Sequence, residues 1–167
     1  IRESILIGHS DGASIALIYA ASGRAKGLHG LVLEAPHIFV EDIPLAGIAE
    51  AGSRYRDGDL KTGLRRHHGN NVDGAFWGWH DCWLTPAFRD WSIEHCLPAV
   101  SAPALVIQGA ADGYGTARQA EAIATHVAGP AETLLLDDCG HVPHRECAGR
   151  VLEVMATFIA RLVGADP

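Results

Sequence analysis

The sequence predicts an α/β protein built on a parallel sheet of about four strands, with a helical insertion between the second and third. Three observations lead there. Apolar runs at Ile5 to Ile7, Leu28 to Leu33, Ala104 to Ile107 and Thr133 to Leu136 alternate with stretches of helical periodicity, which calls for right-handed crossovers and parallel pairing. The runs are mostly apolar throughout rather than alternating, as in strands covered on both faces. From His37 to Leu97 the alternation stops, and glycines, charges and short amphipathic pieces take over.

The first element is Ser4 to Ala21, SILIGHSDGASIALIYAA. Its apolar run stops at Gly8-His9-Ser10-Asp11-Gly12 and yields to a helical pattern through Ile15, Leu17, Ile18 and Ala21. The reading is strand, sharp turn, helix. In the spacing G-x-S-x-G, glycines on either side of Ser10 let the helix fold back close to its strand, and the serine is left on a strained backbone with its hydroxyl exposed. The N–H of Asp11 then points from the helix N-terminus into the same space, as half of an oxyanion hole.

Gly23 ends this helix, and the second strand, in GLHGLVLEAP, is closed by Pro36. Residues 1–36 and 99–167 form the core, and 37–98 an inserted helical unit that holds all four tryptophans, Trp77, Trp79, Trp83 and Trp91. Their rings serve as the core of that unit or as a wall of a substrate pocket, to which Trp77, Trp79 and Trp83 are assigned together with His9. Pro98 and Pro103 flank the return to strand periodicity, which ends at Gln108-Gly109-Ala110-Ala111-Asp112-Gly113. A helix from about Thr116 to Val127 is broken by Gly129-Pro130, and the fourth strand runs into the loop Asp137-Asp138-Cys139-Gly140-His141. The last helix is amphipathic, with Cys147, Val151, Val154, Phe158 and Leu162 on one face.

Composition narrows the partners. A chain of 167 residues, 48% hydrophobic and 20% charged, has material for one core. Its net charge of -7 argues against nucleic acid, and the run Arg65-Arg66-His67-His68 reads as solvated surface. No apolar run is long enough to span a membrane. Four cysteines, Cys82, Cys96, Cys139 and Cys147, show no C-x-x-C spacing and suit reduced thiols in a cytoplasmic protein.

In a parallel sheet, the loops at the C-terminal strand ends gather along one edge, which brings Ser10, Asp112 and His141 into one candidate site. A serine hydroxyl needs a base to take its proton as it attacks, and an imidazole suits that task at neutral pH. A carboxylate behind the ring fixes its tautomer and stabilises the imidazolium. Ser10 is read as nucleophile, His141 as base and Asp112 as acid. Glu34, also at a strand end, is the rival acid, and His144 a rival base. Asp137 and Asp138 are assigned to shaping the His141 loop, and His9 to packing or lining the pocket. Cys139, His141, His144 and Cys147 are all capable zinc donors, but C-x-H-x-x-H-x-x-C matches no common closed site and a metal would take the base from Ser10. No metal and no cofactor is expected.

The motifs GHSDG at Gly8 to Gly12, LVLEAPH at Leu31 to His37, APALVIQGAAD at Ala102 to Asp112 and CGHVPH at Cys139 to His144 give the chain a resemblance to the α/β-hydrolase superfamily. The resemblance, to its esterase, lipase and C–C hydrolase branch, covers nearly the whole length. It implies the chain order nucleophile, acid, base, and a helical cap at 37–98. The family's first strands, and the loop that supplies the second oxyanion amide, have no counterpart here, so the chain is expected to be the C-terminal part of a hydrolase with its natural N-terminus upstream. The implied activity is cleavage of a small carboxylic ester through an acyl-serine. C–C bond, lactone or thioester hydrolysis on the same triad, and a noncatalytic binding fragment, are the alternatives. The missing half implies that the Ile5 to Ile7 strand edge is open to self-association or to pairing with that half.

Overall fold

The computed structural model describes residues 3–164, beginning in the sheet. Strand β1 (Ser4–His9) turns at Ser10 into helix α1 (Asp11–Ala21), and the chain returns as β2 (Leu28–Glu34). Helices α2 (Asp42–Asp57), α3 (Leu60–His68) and α4 (Val72–Leu84) follow, then β3 (Ala104–Gly109), α5 (Ala117–His126) and β4 (Ala131–Leu136). A single short turn, α6 (Pro143–Glu146), precedes the long terminal helix α7 (Ala148–Val163). The strands lie in the order β1-β2-β3-β4, all parallel.

Register fixes where the strands end. His9 pairs with Glu34, Glu34 with Ile107, and Gly109 with Leu136, so the loops after β1, β2, β3 and β4 leave from one edge of the sheet. Both faces of the central strands are buried. Val32, Leu105 and Ile107 meet Val151, Met155 and Phe158 of α7 on one face, while Leu31, Leu33, Ala104 and Val106, also buried, alternate to the other. Each large side chain withdrawn from water in this way contributes about 1.5–3 kcal/mol. Met155 belongs to the buried face of α7 although the apolar spacing read from the sequence passes over it. Strand β1 is an edge strand, and Ile7 on it and Ile15, Ile18 and Tyr19 on α1 are exposed.

The described residues form two compact units. The first contains the sheet and runs to Phe39 and again from Ser92; the second is Val40–Trp91. Residues on both sides of the junction are tied into the first unit by an antiparallel bridge between Phe39 and Ser92 and by the Ile93 N–H donating to Ile38 O. The second unit has its own core of Ala51, Tyr55, Val72 and Phe76, with Trp77 and Trp79 packed against it. The Tyr55 and Phe76 rings stack at 3.8 Å. Burial, then the hydrogen bond to Asp73, pushes the Tyr55 phenol up to about 12. Trp83 packs against Phe88 and Trp91. Among the described residues no helix is long and apolar enough to cross a membrane.

Candidate active site

Ser10 links β1 to α1 with φ 55° and ψ −126°, left-handed backbone that a side chain rarely adopts. Its N–H donates to Glu34 O at 2.8 Å, tying the turn to the end of β2, and its carbonyl accepts from Ala13 N at 2.9 Å, starting the helix. The Asp11 N–H lies in the first turn of α1, where helix amides face outward. Of the two glycines expected to permit close approach, only Gly8 does so. A methyl on Gly8 would lie 2.5 Å from Gly12 O and 2.7 Å from the Ala13 Cα, whereas one on Gly12 would meet nothing within 4 Å. The contact is between the end of the strand and the first turn of the helix, where the Gly12 carbonyl takes part in it while a Gly12 side chain would point into open space.

Ser10, His141 and Asp112 come together. Ser10 Oγ is 3.0 Å from His141 Nε2, and His141 Nδ1 is 3.0 and 2.9 Å from the two oxygens of Asp112. The Asp112 side chain is fully buried. Burial by itself would raise its pKa. The hydrogen bond and positive charge of His141, the Tyr114 N–H at 2.7 Å and the Gln108 amide at 2.9 Å outweigh it, and the carboxyl is held below its ordinary 3.8. A depressed carboxyl pKa stabilises the fold fully above the unfolded value, and that stabilisation is lost as pH falls through the folded one. The urea midpoints of the protein and its Asp112→Asn variant are therefore expected to differ most near neutrality and to converge below about pH 4. A gap that stays constant through that range contradicts the pairing.

The remaining sequence candidates are placed as follows. Glu34, buried at the end of β2, accepts from both the backbone N–H and the Nδ1 of His144 at 3.0 Å, so these two rivals are engaged with each other. His9 turns toward the base loop: its Nε2–H donates to His141 O at 2.6 Å, and its ring stands 5.0 Å from that of His141 and 5.4 Å, edge-on, from that of His144. Trp77, Trp79 and Trp83 belong to the second unit. Cys139 is buried two residues before His141, and burial, then the hydrogen bond with Cys147, pushes its thiol up to about 12. Among the described residues no three His, Cys, Asp or Glu side chains are grouped to hold a metal ion.

Several site residues escape the sequence reading. Glu146 bridges the amides on either side of His141, accepting from Gly140 N at 2.7 Å and Val142 N at 2.8 Å; this carboxylate braces the loop in which Asp137 and Asp138 were expected to act. Its only sequence signal is a position five residues beyond His141. Gln108, fully buried at the end of β3, orients Asp112. His37 brings its Nε2 to 3.3 Å from Ser10 Oγ, although nothing in LVLEAPH marks that histidine as facing the nucleophile.

A parallel sheet whose polar side chains gather at its C-terminal edge, with a serine on a strained strand-to-helix turn, defines the nucleophile-elbow class of α/β proteins. The chain belongs to the alpha/beta hydrolase family, whose model matches residues 1–154. Solved structures of similar fold include a serine hydrolase involved in carbazole degradation, the CarC enzyme (15% identity, TM-score 0.71, covering 95% of this chain and 64% of that one). A thermophilic esterase from Thermogutta terrifontis (22%, 0.64, 96% and 65%) and proline iminopeptidase from Mycobacterium smegmatis (18%, 0.67, 99% and 68%) are others. The chain thus spans about two thirds of the length of these structures. No curated protein matches the sequence.

Proposed function

We propose that the protein is a serine hydrolase that cleaves small carboxylic esters through an acyl-Ser10 intermediate. The observation that carries this reading is the unbroken line from Ser10 Oγ through His141 to the buried Asp112. His141 Nε2 takes the hydroxyl proton as Oγ attacks the carbonyl carbon, and returns it to the departing alcohol. Asp112 holds the Nδ1–H tautomer and stabilises the imidazolium. The Asp11 N–H supplies one donor to the oxyanion. Water then attacks the acyl carbon on the same face as His141 takes its proton, and His141 passes that proton to Oγ as the Oγ–C bond breaks and the acid leaves.

A fluorophosphonate probe tests this directly. Incubation followed by intact-mass and peptide analysis is expected to place one adduct on Ser10, absent from Ser10→Ala. Hydrolysis of a p-nitrophenyl ester should be lost as the adduct accumulates. An unlabelled Ser10 in the folded protein, or ester hydrolysis that survives complete labelling, would remove the proposal.

A further inference from the structure

Ser10 Oγ lies against two imidazoles, and hydrogen-bond accounting gives them different roles. His141 Nδ1 faces both oxygens of Asp112, and an ionised carboxylate only accepts, so Nδ1 carries the ring proton. In the neutral ring Nε2 is then an acceptor, and it takes the Ser10 proton at 3.0 Å. A hydroxyl has one proton to give. His37 Nε2, 3.3 Å from the same oxygen, is left only the donor role.

We propose that His37 is a second catalytic histidine, whose Nε2–H stabilises the negative charge that develops on Ser10 Oγ. The inference rests on the reading of Ser10 as nucleophile. During attack the Oγ–C bond forms, the hydroxyl proton passes to His141 Nε2, and the carbonyl electron pair moves onto the substrate oxygen. His37 keeps its proton. Its hydrogen bond strengthens as partial negative charge builds on Oγ in the transition state, and again in deacylation, when the Oγ–C bond breaks, the electron pair returns to Oγ and His141 delivers the proton. A separation of 3.3 Å in the resting enzyme closes as that charge appears.

The surroundings of His37 are built to hold it there. The residue is 4% exposed. Gln119, fully buried, clamps the next two peptide units, accepting from Ile38 N at 2.8 Å and donating to Phe39 O at 3.1 Å. Ser14, one turn along α1 from the nucleophile, donates to the His37 carbonyl at 2.5 Å. The chain reaches this position through Ala35, at φ 44°. Among the described residues Ala35 and Ser10 are the two non-glycine residues at positive φ, and they follow directly the paired strand ends His9 and Glu34. Backbone in that region persists only where its surroundings enforce it. The two turns lead to Ser10 Oγ and His37 Nε2, which meet at 3.3 Å.

The test compares His37→Leu, which removes the donor, with His37→Gln, whose amide nitrogen can occupy the place of Nε2. For His37→Leu, the rate of Ser10 labelling by the fluorophosphonate and kcat for p-nitrophenyl acetate are expected to fall about 10- to 100-fold, the range for one hydrogen bond to a charged group, with KM little changed. His37→Gln should recover most of that loss. Should His37→Leu not fold, His37→Asn replaces it, being one methylene too short to reach Oγ, and is expected to be equally slow. Labelling and kcat within twofold of the parent in a folded Leu or Asn variant, or equal losses in Gln and Asn, would overturn the role of His37. A parent protein that does not label at Ser10 would instead overturn the nucleophile reading beneath it.

Discussion

Ser10→Ala, Asp112→Asn and His141→Ala are each expected to lower ester hydrolysis by about 10³-fold or more while leaving the protein folded. All three residues sit on loops at the strand ends, outside the packed layers that hold the sheet to α7. Asp112→Asn is nearly isosteric, but its amide can donate toward His141 Nδ1 and so favours the tautomer that presents a proton, not a lone pair, to Ser10. Because the three act on one proton transfer, the double variant Ser10→Ala with His141→Ala should be little slower than either single one. Steady-state assays beside circular dichroism measure both quantities. Losses that multiply would mean that Ser10 and His141 work independently, and the triad assignment would fall.

Gly109→Ala is expected to abolish activity at a distance from the chemistry. Gly109 ends β3, and a methyl there would run into the backbone oxygens of Cys139 and Gly140, with the Cys139 carbonyl carbon at 2.7 Å. Neither oxygen can rotate aside, as a flexible side chain could. The strand end is further held by Ala110 N donating to Leu136 O, and the Cys139 oxygen is already the acceptor of Ala111 N at 3.0 Å. The loop before His141 must therefore move, which carries the imidazole away from Ser10, and overpacking of this kind costs about 1–3 kcal/mol of stability besides. Gly113→Ala, on the same loop but with nothing within 4 Å of the added carbon, is the control and should be near neutral. A Gly109→Ala protein with parental kcat would show that the loops after β3 and β4 tolerate separation.

The sheet and the elbow were legible because their signals are local. Ile5 to Ile7 followed by GHSDG says strand and turn within a dozen residues, and Ala104 to Ile107 is apolar enough to read as a buried strand without knowledge of its neighbours. Ser10, Asp112 and His141 could be named together because parallel topology collects strand ends, an argument that needs no side-chain geometry. Residues that act on those three were not legible. His37 faces Ser10 because of one positive φ at Ala35 and a glutamine that holds Ile38 from 81 positions further along the chain. Glu146 works from an exposed helical turn, where a carboxylate ordinarily means only solvated surface. The exchange of partners that gives Glu34 to His144 and Asp112 to His141 is likewise set in three dimensions, since one carboxylate ends β2, the other follows β3 by three residues, and both histidines lie in CGHVPH.

The hydroxyl of Ser10 and the imidazole it meets are 131 residues apart in the chain. Nothing local brings them together: β2 must dock on β1, β3 on β2, and β4 on β3, each in register, before the loop after β4 arrives beside the first turn of α1. Contacts of this kind form slowly, because the long loops between parallel strands must be closed before any pairing rewards them. Secondary structure and collapse can therefore precede the meeting of Ser10 with His141 during refolding. On the proposed assignment, labelling of Ser10 by a fluorophosphonate would serve as a clock for completion of the sheet, silent until the loop after β4 is in place.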